Sequence, residues 1–302
     1  MKKRYIVAVV TALFYSSTCY AQTTSKLVAS SVAAVGVPNA STQKFQTLFN
    51  GKDLSGWKGK AGLWRVENGT IVGETKAEAP IPANTFLIWQ GGQVVDFEFS
   101  CQVKFTGNNS GVQYRSEVFG DPDDLALRGY QADLHPKQEY FGMLYGEKYG
   151  KRGIIARRGQ KVIAKGDKKL VKVTGEVGDG TELNGEEWNT LRIVVVGNRM
   201  IHLVNDVVTV DVTESHPDAI AKGYLGLQLH RGNPMKVEFR KLKYRALTGK
   251  HAKQTLDAPR WHAACPPPGP GQRSSKKSPS IDATHVPQWF GCEHDICEPS
   301  CL

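Results

Sequence analysis

Between Phe45 and about Leu247 the chain is written in short runs rich in Val, Ile, Leu, Phe and Tyr, separated by clusters of Gly, Asn and Asp. No stretch keeps a helical period beyond about two turns, and many runs alternate apolar and polar residues, which predicts strands. The clearest are Leu63 to Val66, Thr70 to Gly73, Val94 to Phe105, Gly111 to Ser116, Gly129 to Leu134, Thr190 to Val196, Met200 to Val204, Val207 to Val212, Gly223 to His230 and Val237 to Arg245. Asn205-Asp206 reads as a tight hairpin turn between two of them. The pattern is that of one all-β domain over residues 44 to 247.

In a strand, successive side chains point to opposite faces, so each run divides into two sets. In Gly111 to Ser116, Val112 and Tyr114 oppose Gln113 and Arg115; in Gly129 to Leu134, Tyr130, Ala132 and Leu134 oppose Gln131 and Asp133. In Gly223 to His230, Leu225, Leu227 and Leu229 oppose Tyr224, Gln228 and His230. A solvent face carries Lys, Glu and Thr, as in Val237-Glu238-Phe239-Arg240-Lys241, whereas these three carry amides, a carboxylate, a guanidinium and an imidazole suited to fixed hydrogen bonds. If the three strands share a sheet, the patch matches the paired donors and acceptors of sugar hydroxyls. The plainer alternative is that Arg115 pairs with Asp133 and His230 is a satisfied sheet histidine.

The two ends have a different texture. Lys2, Lys3 and Arg4 run into the apolar stretch Ile6 to Tyr15, too short to span a bilayer, and Cys19-Tyr20-Ala21 supplies a small-x-small cleavage pattern. Residues 1–21 are therefore expected to be a cleaved secretory signal, with a lipoprotein anchor at Cys19 as the rival, and the protein to be exported to the periplasm or beyond, with no stable membrane insertion afterwards. Residues 22–43 read as a flexible lead. Residues 248–302, with Pro266-Pro267-Pro268 and Ser274-Ser275-Lys276-Lys277, read as a non-globular tail. Cys265, Cys292, Cys297 and Cys301 all lie there, with three pairings open to them and a spacing that matches no common zinc pattern. Cys101 reads as a buried apolar residue.

The formal net charge is +10, and removing Lys2, Lys3 and Arg4 leaves +7. This excess is scattered, as in Lys151-Arg152, Arg157-Arg158 and Lys165 to Lys169, without aromatic interleaving, so nucleic acid is not an expected partner. Asp121-Pro122-Asp123-Asp124 invites calcium but lacks the spacing of an EF-hand loop, and no other cofactor is expected. Trp57, Trp64 and Trp188 suit either core packing or sugar stacking. No nucleophile elbow, P-loop or dinucleotide fingerprint is present.

Several ordered blocks carry a resemblance. They are Phe45-Gln46-Thr47-Leu48-Phe49-Asn50-Gly51-Lys52-Asp53-Leu54-Ser55-Gly56-Trp57, Trp64 with Gly69 to Glu74, Asp96-Phe97-Glu98-Phe99, Asn109 to Ser116, Gly129-Tyr130-Gln131-Ala132-Asp133, Glu187-Trp188-Asn189, and Gly226-Leu227-Gln228-Leu229-His230. Together they resemble the 3-keto-disaccharide hydrolase family across the whole inferred domain, the tail excepted. The resemblance implies a concanavalin-like jelly-roll β-sandwich that cleaves glycosides of a sugar oxidised at carbon 3. A ketone there acidifies the hydrogen on carbon 2, so a base, donors to the enolate oxygen and an acid for the leaving oxygen would suffice for elimination, followed by hydration. His230 is the first candidate for the base and Asp133 the second. Arg115, with Gln113 or Gln131, would hold the ketone, Gln228 a hydroxyl, and Glu74 is an outside candidate for the acid. Glu74 with Asp133 as an ordinary two-carboxylate pair is a further reading. The different-class alternative is a non-catalytic carbohydrate-binding module, since one sandwich serves both.

Overall fold

The protein is described from a computed structural model over residues 44–165, 171–178, 183 and 185–257. The expected leader, the flexible lead, the basic residues 166–169 and the tail cysteines lie outside the described residues. In chain order the strands are β1 (Gln46–Thr47), β2 (Trp57–Lys58), β3 (Trp64–Glu67), β4 (Thr70–Thr75), β5 (Thr85–Trp89), β6 (Phe97–Gly107), β7 (Ser110–Phe119), β8 (Ala126–Leu134) and β9 (Leu144–Glu147). There follow β10 (Gly153–Ala156), β11 (Gln160–Ala164), β12 (Val171–Glu176), β13 (Asn189–Val196), β14 (Arg199–Val204), β15 (Val207–Glu214), β16 (Tyr224–Leu229) and β17 (Met235–Ala246), then helix α1 (Gly249–Leu256).

These strands form two stacked sheets. The larger runs β12-β11-β15-β14-β13-β6-β17-β4-β3, with β1 on β17, and the smaller runs β10-β9-β8-β7-β16-β5-β2. Every pairing is antiparallel except β11 with β15. The period-two alternation aims Phe97, Phe99, Cys101, Val103 and Phe105 of β6 at Val112 and Tyr114 of β7, Tyr130, Ala132 and Leu134 of β8, and Leu225, Leu227 and Leu229 of β16. Each large apolar side chain buried in this way contributes about 1.5–3 kcal/mol. The all-β sandwich is thus as expected, with Cys101 free and buried and Trp57 and Trp64 in the core. Asn205 and Asp206 both take positive φ, 50° and 64°, as a two-residue hairpin turn of this type demands.

Two features depart from expectation. Residues 249–256, read from sequence as the start of the tail, form α1, whose Ala252 packs with Leu247, Val194, Ile201, Leu203 and Val208 on the outer face of the larger sheet. Strand β5 lacks alternation because both its faces are covered. Leu87 and Trp89 belong to the main core, whereas Phe86 and Ile88 pack with Leu125 and Leu127 on the other side. The β7–β8 connection folds back to reach them: Phe86 N donates to Leu125 O at 2.9 Å and Thr85 Oγ1 to Asp124 O at 3.0 Å. This connection covers the outer face of β5.

Candidate functional site

Strands β8, β7 and β16 are neighbours, so the polar faces read from sequence do meet. Gln113 pairs with Gln131 on one side and Gly226 on the other; Gly111 pairs with Asp133, and Leu227 with Val112. Gln113, Gln131, Asp133 and Gln228 consequently share the outer face of the smaller sheet, each at most 2% exposed. Gln131 Nε2 donates to Asp133 Oδ1 at 2.7 Å and lies 3.4 Å from Gln228 Oε1, while Gln113 Nε2 lies 3.4 Å from Gln131 Oε1. Space for this is made by Gly111, where a Cβ would lie 2.5 Å from Gln131 Cδ. Gln228 Nε2 is buried without a partner.

The accessible mouth of the cluster is at the far end of these strands. His230 follows β16 and is half-buried; its Nδ1 donates to Arg231 O at 2.6 Å, which fixes the tautomer and leaves the Nε2 lone pair available. Asn108 Nδ2 donates to the same carbonyl at 2.9 Å and lies 3.2 Å from Nδ1. Burial, above all, holds the His230 imidazole below its ordinary pKa, with the Arg231 charge acting the same way, so it is neutral and basic near pH 7. Burial also raises the Asp133 carboxyl to about 7, reinforced by Glu147 and opposed by hydrogen bonds from Gln131 and Asn109. Glu147 is itself raised, mainly by burial, and its Oε1 accepts from Asn84 Nδ2 at 3.2 Å. Asn84 Oδ1 in turn accepts from Arg231 N at 2.9 Å. His135, at the end of β8, is near enough to feel the charge of His230.

Two candidates read from sequence are not brought here. Arg115 sits in a β-bulge at φ 45°, which breaks the alternation and turns its side chain away from Gln113. Its guanidinium donates to Val95 O at 2.8 Å, Gly197 O at 2.7 Å and Asp96 Oδ1 at 2.9 Å, tying the two sheets together. It neither pairs with Asp133 nor reaches the mouth. Glu74 belongs to the larger sheet, where it pairs with Arg65 at 2.8 Å beside the Lys236–Glu238 contact, on the opposite outer face of the sandwich. Among the aspartates considered for calcium, Asp121 caps a short turn by accepting from Asp123 N and Asp124 pairs with Lys60 at 3.3 Å. Trp188 is stacked on Arg240, 3.9 Å from the ring centre.

Asn84, Asn108, Asn109, Glu147 and Arg231 are site residues that the sequence reading missed. Arg231 had a signal, since it follows His230 directly, as did Asn108 and Asn109, in the turn that leads into Gln113. A groove of about 580 Å³, lined by Phe105, Thr106, Gly107, Pro136, Glu186 and Glu187 among others, lies not over the buried amides but beside the mouth, with Gly107 next to Asn108 and Pro136 next to His135. Among the described residues no cluster of three or more His, Cys, Asp or Glu is arranged to hold a metal ion.

The arrangement is therefore a partly exposed imidazole at the end of β16 and, on the same sheet face, a buried carboxyl raised to about 7 among side-chain amides. A family model, the 3-keto-alpha-glucoside-1,2-lyase-like domain, matches residues 44–245. The chain belongs to that family. Its matched region spans every strand but β17's last residue, and includes Asp133, Glu147, His230 and Arg231. No curated protein matches the chain. Among solved structures it is similar to a putative glycosyl hydrolase from Parabacteroides distasonis, at 23% identity over 68% of this chain and 94% of that one, with a TM-score of 0.45. It is also similar to the carbohydrate-binding module CBM66 from Bacillus subtilis, at 15% identity over 63% and 96% of the two chains, TM-score 0.42. The laminarinase catalytic domain from Thermotoga maritima matches at 11% identity over 68% and 98%, TM-score 0.41.

Proposed function

We propose that this 3-keto-alpha-glucoside-1,2-lyase-like domain is an exported enzyme that cleaves glycosides of a 3-keto sugar by elimination and hydration. The observation that carries the reading is the presence on one sheet face of His230, whose Nδ1 is taken by Arg231 O, and Asp133, with its raised pKa of about 7. His230 Nε2 removes the proton from carbon 2. The enolate oxygen is met by the Arg231 guanidinium, whose charge is felt by both His230 and Glu147, a role that Arg115, held elsewhere, does not fill. The carbon 1 to oxygen bond then breaks, its electron pair leaving with the departing oxygen, which takes a proton from Asp133. Water adds across the new double bond, its hydroxyl to carbon 1 and its proton to the Asp133 carboxylate, while protonated His230 returns a proton to carbon 2. The groove beside Asn108 and His135 accommodates the leaving group.

Within the sugar only the enolate offers Arg231 a negative charge, so its contribution to the reaction falls in the transition state rather than in ground-state binding. The test is incubation with a 3-keto disaccharide and with its unoxidised parent, read by mass. Release of monosaccharide from the oxidised sugar alone supports the reading, and cleavage of the parent at equal rate overturns it. A second reading, carbohydrate binding without turnover, is favoured by the burial of Gln113, Gln131 and Gln228, which leaves few groups at the mouth. It predicts retention on a glycan column and no product from either sugar.

A further inference from the structure

We propose that Ser116 is a positioning residue for Asp133, acting through the side-chain amides of Gln113 and Gln131. The proposal rests on the reading of Asp133 as the acid of the site. The chain of contacts has one direction. Ser116 Oγ donates to Gln113 Oε1 at 2.5 Å, which turns the Gln113 amino group toward Gln131 Oε1 at 3.4 Å. That in turn directs the Gln131 amino group to Asp133 Oδ1 at 2.7 Å. At this depth each end of an amide should face its complement, because bulk solvent does not reach an unmet donor or acceptor. Reversing Gln131 would aim its carbonyl at the Asp133 carboxylate and at Gln228 Oε1, now 3.4 Å from its amino group.

Three irregularities of the sheet converge on this chain. In a regular strand residues 113 and 116 face opposite ways, being an odd number apart. The bulge, with its register shift between Tyr114 and Glu117, is what brings Ser116 round to Gln113, and Arg115 fastens it to Val95, Asp96 and Gly197. Across from Ser116 stands Gly129, where a Cβ would lie 2.5 Å from the serine hydroxyl. Under Gln131 stands Gly111, where a Cβ would lie 2.7 Å from Nε2. Two strands have thus given up side chains where the relay passes.

Ser116 has a second acceptor, Tyr114 O at 3.0 Å, so its proton is the one element of the chain that can be redirected by rotation. Without the hydroxyl, Gln113 Oε1 loses its donor, and the two amides can reverse together to present the Gln131 carbonyl to Asp133. That orientation accepts a hydrogen bond from the protonated acid and repels the carboxylate. The charged group that acts on Asp133 is Glu147 from β9, itself reached by Arg231 from the end of β16, while His135, just past the end of β8, feels His230. None belongs to the relay, so all remain when it is cut.

The test is an NMR titration of the ¹³C-labelled aspartate carboxyls, with the Asp133 signal assigned by its loss in Asp133→Asn. Ser116→Ala should raise the Asp133 midpoint by about one pH unit, the size of a charge-assisted hydrogen bond lost. Gln113→Met should do the same, and Ser116→Thr, which keeps the hydroxyl, should hold the wild-type value. An unmoved Asp133 titration in Ser116→Ala, with a lower Tm, makes the serine merely structural and overturns the proposal, as does a shift in Ser116→Thr as large as that in Ser116→Ala. Should Ser116→Ala not fold, Gln113→Met decides on the same criterion. The titration needs no substrate, so a protein that shows the shift but turns over no 3-keto glycoside retains the relay and loses the proposed activity.

Discussion

His202 lies fully buried under the site, and replacing it should flatten the acid side of the stability curve. Its Nδ1 donates to Gly142 O at 3.0 Å and its Nε2 accepts from Tyr114 OH at 2.8 Å, with no carboxylate in either contact. Burial pushes its pKa down from 6.5 to about 4. Between those values the unfolded chain takes up a proton that the folded protein refuses, so stability falls as pH drops from about 6.5 to about 4 and changes no further below. At 1.36 kcal/mol per unit of pKa, the loss across the window is about 3 kcal/mol. Asp133, raised from 3.8 to about 7, has the opposite sign: its folded form holds a proton that the unfolded chain has released, so it gains stability over nearly the same fall in pH. The wild-type curve therefore mixes the two, and the difference between variants isolates one. His202→Gln keeps a donor for Gly142 and an acceptor for Tyr114 and cannot titrate. Urea unfolding at pH 7.5, 6.5, 5.5 and 4.5 should show the wild type more stable at pH 7.5 and the gap closing by about 3 kcal/mol at the acid end. Parallel curves would refute the account of His202 as a neutral, hydrogen-bonded core residue.

Arg115→Met should cost about 2 to 3 kcal/mol in chemical unfolding, because it strips two carbonyls of a donor and leaves Asp96 with Gly197 N at the junction of the sheets; an unchanged midpoint would contradict that role. Gly111→Ala puts a methyl against the Gln131 side chain, so it should lower the rate on a 3-keto glycoside while costing only about 1–3 kcal/mol of stability, and full activity in a folded variant would count against the amide network. Gln228→Met removes a buried donor that has no partner, and thermal unfolding should show Tm held or raised while turnover falls, the usual opposition between a site and its fold. A drop in Tm beyond that of Gly111→Ala would show that Gln228 is a structural amide.

Period-two alternation is enough to place Gln113, Gln131, Asp133 and Gln228 on one face, because β7, β8 and β16 are regular wherever those residues stand. It fails at Arg115, where the chain adopts a positive φ without the Gly or Asn that usually marks one. Glu74 is misplaced for another reason: nothing local to β4 says which sheet the strand joins, and only the strand order, with β4 beside β17, shows that it faces the far side. The cover over the outer face of β5 depends on a contact with residues 124–125, which no local pattern encodes. Glu147 and Asn84 approach each other from either flank of the smaller sheet, 63 residues apart, and are united by a single hydrogen bond. The ends of β16 and β8, by contrast, are legible, since His230 and Asp133 continue the polar alternation of their strands to its last positions.

The central claim is that His230 removes the carbon 2 proton of a 3-keto glycoside, and deuterium oxide tests it directly. Wild-type protein incubated with a 3-keto disaccharide in deuterium oxide should yield a sugar labelled at carbon 2, as seen by NMR and mass. In His230→Ala both label and product formation should fall by about a hundredfold or more. Product released without label at carbon 2, or a His230→Ala variant with near-normal labelling, would contradict the account.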